Sequence, residues 1–380
     1  MDKLRLGALA LLAVTFAAPA MAQDIAVGTA GPMTGGQAAF GLQMTSGAAQ
    51  AIADINAAGG VLGKKLKLEI GDDACDPKQA RSIAEKLSGM GVAVVVGHYC
   101  SSSSIPASDA YLDSGVLQIT PASTNPLFTD RGLWNTFRTC GRDDQQGGFA
   151  AAYLAKNFKD KNIAIIDDKT TYGKGLADEM KKAINAGGMK EVLYEGINTG
   201  EKDYSALVSK IKQSGADLVY FGGLYTEGGL IVRQMRDQGV KAPLMGGDGI
   251  TSDEFASVGG PGVEGTLMTY GPDPRHKPEA KKVVEEFRAK KFEPEAYTLY
   301  SYAGVQVIKQ AAEAAKSLDP KKVAEKMHSG MKFKTVLGDL AFDKKGDITK
   351  LDYVMYLWKK DASGKITYVE CPGSDCSKMK

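Results

Sequence analysis

His98, Cys100 and four consecutive serines, Ser101–Ser104, fall within twelve residues, GHYCSSSSIPAS (97–108). An imidazole two positions before a thiol places both on one side of an extended strand. A base beside a thiol or hydroxyl is what nucleophilic catalysis requires. Serines this dense also suit a linker or a cradle for a small molecule. No G-x-S-x-G elbow accompanies them. There is no G-x-x-x-x-G-K-[ST] loop either, and GGDGI (246–250) and YGKGL (172–176) are too weak as patterns to be read as phosphate cradles. The three histidines, His98, His276 and His328, lack metal-ligand spacing with one another or with cysteine. These patterns predict no metal, no cofactor and no enzymatic turnover.

The run VAVVVG (92–97) leads into the serines, and its β-branched apolar residues predict a strand buried on both faces. In open parallel sheets ligands bind beyond the C-terminal strand ends, so the residues that follow each strand carry the information. HYCSSSS follows VAVVVG, and PASTNP (121–126) follows VLQIT (116–120). Both segments are rich in small hydroxyls and backbone N–H groups, which at a helix start suit a carboxylate, although capping alone also favours Ser and Thr there. KTTYG (169–173) follows NIAIIDD, and LYTEGG (224–229) follows ADLVYFGG. Asp248 stands between glycines after PLMGG, where an acid would meet an ammonium group; Asp-Gly is equally a common turn pair.

The elements that must position these residues alternate regularly. DIAVGTAG, KLKLEIGDD, VAVVVG and VLQIT read as strands, with helices over about 40–56 and over PKQARSIAEKLSG, where Asp76 is the expected N-cap and Pro77 the first helical residue. A second βα series begins after Arg138, from DDQQGGFAAAYLAKNF to APLMGGDG. Two such series predict an α/β fold of two doubly wound lobes, in keeping with a length of 380 residues. After Gly265 the pattern changes to the strand GTLMTYG, three helices, a strand KTVLGDLAF and a hairpin pair, DYVMYLWKKD and GKITYVE, with CPGSDCSKMK as a loose tail. Tyr300, Val305, Ile308 and Ala312 recur at helical spacing and predict core.

Residues 1–22 carry Lys3 and Arg5, an apolar run and Ala20-Met21-Ala22, the pattern of a secretory signal peptide. Export from the cytoplasm is therefore expected. A net charge of +2 gives no electrostatic reason to expect nucleic acid or membrane as partner. In an oxidising compartment the five cysteines, Cys75, Cys100, Cys140, Cys371 and Cys376, would pair and leave one over.

DDACDPKQA (72–80), GHYCSSSSIPASD (97–109), ITPAST (119–124) and GEKDYSALV (200–208) resemble the periplasmic leucine/isoleucine/valine-binding proteins of branched-chain amino-acid ABC transporters. The resemblance runs from about Asp24 to Trp358. It implies the type I periplasmic binding protein fold, two Rossmann-like lobes joined by three hinge crossings, near 140–143, 270–272 and 352–355. The lobes would comprise 23–142 with 271–352, and 143–270 with 353–380. It implies a monomeric solute-binding protein that captures a free amino acid and delivers it to a permease; an amide- or urea-sensing protein of the same fold is the alternative. By position, Ser101, Ala122 and Thr124 would hold the carboxylate. Asp248 would hold the ammonium in place of the family's usual Glu, and Tyr172 would close over the ligand. Phe40, Tyr99, Cys100, Leu224, Tyr225 and Tyr297 would line the pocket, with a disulfide between Cys75 and Cys100. Tyr99 stands where a Leu is common, and Leu224 where a Tyr is common, so that either Leu224 or Tyr225 faces the ligand. Cys140 would pair with Cys371 or Cys376, or the last two would pair with each other. Ser102–Ser104 would be helix-start or surface residues.

Overall fold

The computed structural model describes residues 24–350 and 352–379; the signal-peptide segment lies outside the described residues. The first series contains β1 (Ile25–Gly31), α1 (Ala38–Ala57), β2 (Leu66–Asp72), α2 (Pro77–Gly89), β3 (Val94–Gly97), α3 (Ser101–Ser114), β4 (Leu117–Thr120), α4 (Leu127–Asp130) and β5 (Thr136–Arg138). Its strands form a parallel sheet in the order β2-β1-β3-β4-β5. All four residues of β3 are buried, as its central place in the sheet requires. Asp76 caps α2 by accepting hydrogen bonds from the amides of Lys78 and Gln79, and left-handed Gly115 ends α3.

The second series contains α5 (Asp143–Asn157), β6 (Ile163–Asp167), α6 (Thr171–Ala186), β7 (Glu191–Gly196), α7 (Ser205–Gln213), β8 (Leu218–Gly222), α8 (Tyr225–Asp237), β9 (Leu244–Gly246), α9 (Glu254–Gly259) and β10 (Leu267–Tyr270). α6 and α8 start a few residues earlier than the apolar pattern predicts, because Thr170 caps α6 through the Gly173 amide and Leu224 stands extended before α8. The chain then forms α10 (Lys281–Ala289), α11 (Ala296–Ala315), α12 (Pro320–Met327), β11 (Phe333–Thr335), β12 (Gly338–Leu340), β13 (Val354–Lys360) and β14 (Ile366–Glu370). The second sheet runs β14-β13-β10-β9-β8-β6-β7, with β13 and β14 antiparallel. β13 thus returns to the second sheet, whereas α11 packs on α1, β3 and β4 of the first lobe. Gly47 permits that approach: a Cβ there would lie 1.9 Å from the Thr298 carbonyl oxygen. Tyr300, Val305, Ile308 and Ala312 are buried on α11.

Two local readings are corrected. KTVLGDLAF is not one strand: Gly338 takes a positive φ and the segment folds back as the β11–β12 hairpin. The tail is not loose: Cys371 and Cys376 are bonded to each other and buried against β13, which leaves Cys140 as a buried free thiol. Among the described residues no helix is long and apolar enough to cross a membrane, and no three His, Cys, Asp or Glu side chains cluster as metal ligands would.

Candidate functional site

The first-lobe wall begins where β3 ends. His98 is buried; its Nδ1–H donates to Asp73 (2.5 Å) and its Nε2 accepts from the Tyr111 hydroxyl (3.0 Å). Cys100 is bonded to Cys75. Both members of the sequence-level nucleophile pair are therefore committed to structure. Cys100 is the N-cap residue of α3. The amides of Ser103 and Ser104 bond to its carbonyl, so those of Ser101 and Ser102 are the helix-start donors. Ser103 and Ser104 are buried rather than on the surface, and Ser104 is hydrogen-bonded to Ser123 (2.6 Å), fastening this loop to the loop after β4. Fully buried Arg138 props that second loop from below by donating to the carbonyls of Ser123 (2.6 Å) and Asn125 (3.1 Å).

The second-lobe wall carries charge. Asp248, 3 % exposed, follows β9 in a single 3₁₀ turn. It accepts hydrogen bonds from the hydroxyls of Tyr297 (2.8 Å) and Tyr172 (3.1 Å), and the Tyr172 hydroxyl accepts from the Gly249 amide (2.9 Å). Burial raises the Asp248 pKa, and the two tyrosine hydrogen bonds work against that rise. Asp143, at the start of α5, is a second buried acid whose two oxygens have no hydrogen-bond partner; burial and the nearby Asp248 charge push its pKa well up.

Between the walls lies a cavity of about 300 Å³. Among the residues of the sequence reading, Tyr99, Cys100, Ser101, Ala122, Tyr172, Leu224 and Asp248 line it. Phe40, Tyr225 and Tyr297 stand behind this lining. Phe40 stacks on Tyr99 (centroids 4.3 Å apart) and meets Tyr225 edge-on at 5.1 Å, and Tyr99 meets Tyr297 edge-on at 4.9 Å. Thr124 lies on the hinge side, where it shares a small void with Asp248, Cys140 and Tyr270, its hydroxyl buried without a partner. Leu224, not Tyr225, reaches the cavity.

Gln37, Ser102, Thr170, Lys202, Thr226 and Glu227 also line the cavity; Ser102 was expected only as a helix-start or surface residue, and the other five had no role assigned from the sequence. Thr170 lies in KTTYG, Thr226 and Glu227 in LYTEGG and Lys202 in GEKDYSALV, segments marked as strand ends or as a family motif without any sign of which side chains reach the cavity.

The walls touch. Gln37 Nε2 donates to Thr226 Oγ1 (3.2 Å), Thr226 Oγ1 donates to the Gly36 carbonyl (2.8 Å), and Asn125 Nδ2 donates to the Thr171 carbonyl (2.8 Å). Tyr297, from the helix packed on the first lobe, reaches Asp248 directly. The arrangement is that of a closed cleft, offering neutral donors on one side and a carboxylate on the other.

Residues 24–364 match the family model described as "Periplasmic binding protein". The chain is 56% identical over 347 residues to the Leu/Ile/Val-binding protein homolog 1 of Brucella suis, covering 91% of this chain and 94% of that protein. A crystal structure of a leucine-binding protein, LivK, from Thermotoga maritima is similar with a TM-score of 0.83 and 29% identity, over 91% of this chain and 97% of that one. The branched-chain amino-acid binding protein LivJ from Streptococcus pneumoniae, in complex with isoleucine, is similar with a TM-score of 0.81 and 26% identity, over 92% of this chain and all of that one. The architecture, the placement of the cleft and these similarities together show that the chain belongs to the periplasmic binding protein family, as a relative of the Leu/Ile/Val-binding proteins with their two-lobed type I fold.

Proposed function

We propose that this chain captures a free amino acid in the periplasm, between its two lobes, and delivers it as a monomer to the permease of an ABC transporter. One observation carries the reading: the Asp248 carboxylate is buried in the cavity wall, among the described residues no Lys, Arg or His pairs with it, and the helix-start amides at Ser101 and Ser102 line the same cavity. A buried carboxylate is costly without a cation, and an α-amino acid brings that cation together with an anion for the helix start.

In this reading Ser101, Ser102 and the Ala122 backbone hold the carboxylate. Thr124, which shares its void with Asp248, faces the ammonium side. Tyr172 and Tyr297 orient Asp248, and Tyr99, backed by Phe40, sets the depth of the side-chain pocket. The lobes are 23–142 with 271–352 and 143–270 with 353–380. The sheet membership of β5, β10 and β13, together with the packing of α11 on α1, supports these bounds. The signal-peptide pattern of residues 1–22 supports export.

The test is a thermal-shift and calorimetric screen of free amino acids. At a concentration one hundredfold above its dissociation constant, a bound ligand stabilises the folded chain by about 2.7 kcal/mol, which a melting curve resolves. A panel of all common amino acids without any shift contradicts the reading.

A further inference from the structure

A helix start that receives a ligand has to stay free of its own cap. Ser, Thr, Asp or Asn at the N-cap position turns a side-chain oxygen onto the amide of the second or third helical residue. Asp76 does this for α2, accepting from the amides of Lys78 and Gln79. The same position before α3 is held by Cys100, which makes no side-chain cap. Among the described residues no acceptor meets the amides of Ser101 and Ser102, and Cys75, Cys100, Ser101 and Ser102 all line the cavity.

The bond to Cys75 explains the missing cap. It ties the Cys100 sulfur to the loop after β2, with the two Cα atoms 5.6 Å apart, and sulfur is in any case a weak acceptor. The Cys75 end is fixed in turn. Its amide donates to Asp73 (2.8 Å), and Asp73 accepts from His98 (2.5 Å), two residues before Cys100. The sulfur is therefore not free to turn over its own helix.

We infer that Cys75 and Cys100 are positioning residues for binding as well as a staple: their disulfide withholds the N-cap of α3 and so leaves the Ser102 amide to the ligand carboxylate. This rests on the amino-acid reading above and deepens it. Two groups would otherwise compete for one donor. A capping oxygen at position 100 takes the amides of Ser102 and Ser103, in the way Asp76 takes those of Lys78 and Gln79. The ligand carboxylate needs the first of these. A capping residue therefore stabilises the empty helix and has to be displaced when ligand binds. A staple alone makes stability and affinity move together, whereas cap withholding makes them move apart.

The experiment compares chains that all lack the disulfide and differ only at position 100: Cys75→Ala combined with Cys100→Ala, with Cys100→Ser or with Cys100→Asp. The common amino acids are titrated calorimetrically into the parent chain, and the tightest binder is then titrated into each variant. The serine pair is expected to bind it about fivefold more weakly than the alanine pair, which is what one cap hydrogen bond contributes, while melting about 2 °C higher. The aspartate pair sets a second carboxylate beside the ligand's own and is expected to bind at least about tenfold more weakly than the alanine pair. Should the paired exchanges not fold, Ser102→Pro beside Ser102→Ala carries the test. It keeps the disulfide and deletes the amide hydrogen in a first helical turn, where proline is tolerated, and about fivefold weaker binding than Ser102→Ala is expected. Equal affinities in the three pairs, affinity that rises with their stability, or Ser102→Pro binding like Ser102→Ala overturns the inference and leaves the amino-acid reading standing. No binding of any common amino acid by the parent chain overturns both.

Discussion

The first-lobe wall of the cleft is neutral and fastened from several sides. The Cys75–Cys100 disulfide, the Ser104–Ser123 hydrogen bond and the buried Arg138 hold its two loops in place before any ligand arrives. On the second-lobe wall, Asp248 is held by two tyrosine hydroxyls and lies near Asp143, and burial raises the pKa of both acids. The difference assigns the walls different parts in capture. Closing a neutral wall over an empty cavity costs little electrostatically. Closing a buried carboxylate such as Asp248 over it, with no cation to compensate, costs several kcal/mol. An ammonium removes that cost, so ligand and closure reinforce one another through the second wall, while the first wall serves as the platform on which the ligand lands.

The most severe way to break the contrast is to delete the charge. Asp248→Ala should lower affinity for the bound amino acid by about 4 kcal/mol, several-hundredfold, since truncating one partner of a buried charge pair costs 2–5 kcal/mol or more; titration calorimetry reads the loss. A fall of less than fivefold would remove Asp248 from the site.

Loosening the platform comes next. The Cys75–Cys100 bond closes a loop of sequence separation 25. Replacing both cysteines by serine should cost about 3 kcal/mol of stability on the chain-entropy scale, seen as a lower melting temperature. The Cys371–Cys376 bond spans only 5 positions, so its removal should cost less, about 2 kcal/mol.

A third prediction sharpens the charged side. Glu295, the residue before α11, accepts a hydrogen bond from Gln43 on α1 (2.5 Å) and one from the Asp253 amide across the cleft (3.2 Å). Burial and the Asp253 carboxylate raise its pKa to about 7. An acid raised in the closed fold contributes stability that is complete below its ordinary pKa and is lost as pH rises through about 7. The melting temperature should therefore fall between pH 5 and pH 8, by the equivalent of about 2 kcal/mol, and Glu295→Gln should flatten that fall. A profile with the same slope in the variant would assign the titration elsewhere.

The smallest effect belongs to one platform hydroxyl, that of Ser101. Ser101→Ala should weaken binding by about 1 kcal/mol, roughly fivefold, because the helix-start amides remain. A hundredfold loss would mean that the hydroxyl, and not the amides, carries the carboxylate.

The platform was more legible in the chain than the far side. VAVVVG and VLQIT announce buried strands, and GHYCSSSS and PAST announce their ends; local periodicity suffices for that. Asp248 could be singled out by its place after a strand, but not separated from a turn residue until Tyr172 and Tyr297, 76 and 49 positions away, were seen to hold it. The demotion of Phe40 and Tyr225 to backing residues depends on ring stacking between elements far apart in sequence. Lys202 and Glu227 fall inside GEKDYSALV and LYTEGG, but the spacing within those segments does not say which side chains turn toward the cavity. The Cys371–Cys376 bond stood among the stated alternatives without a basis for choosing it, and the β11–β12 hairpin was read as one strand, since pairing choice and strand reversal depend on packing that spacing does not encode.

The central claim is that the second wall reads an ammonium against a platform that reads a carboxylate. The direct measurement is calorimetry of the tightest-binding amino acid beside its α-hydroxy acid, identical except for the ammonium, on the parent chain and on Asp248→Asn. The account predicts that the amino acid binds at least about a hundredfold more tightly to the parent chain and that this gap collapses in the variant. Equal affinities for the two ligands, or a gap that survives in Asp248→Asn, would contradict it.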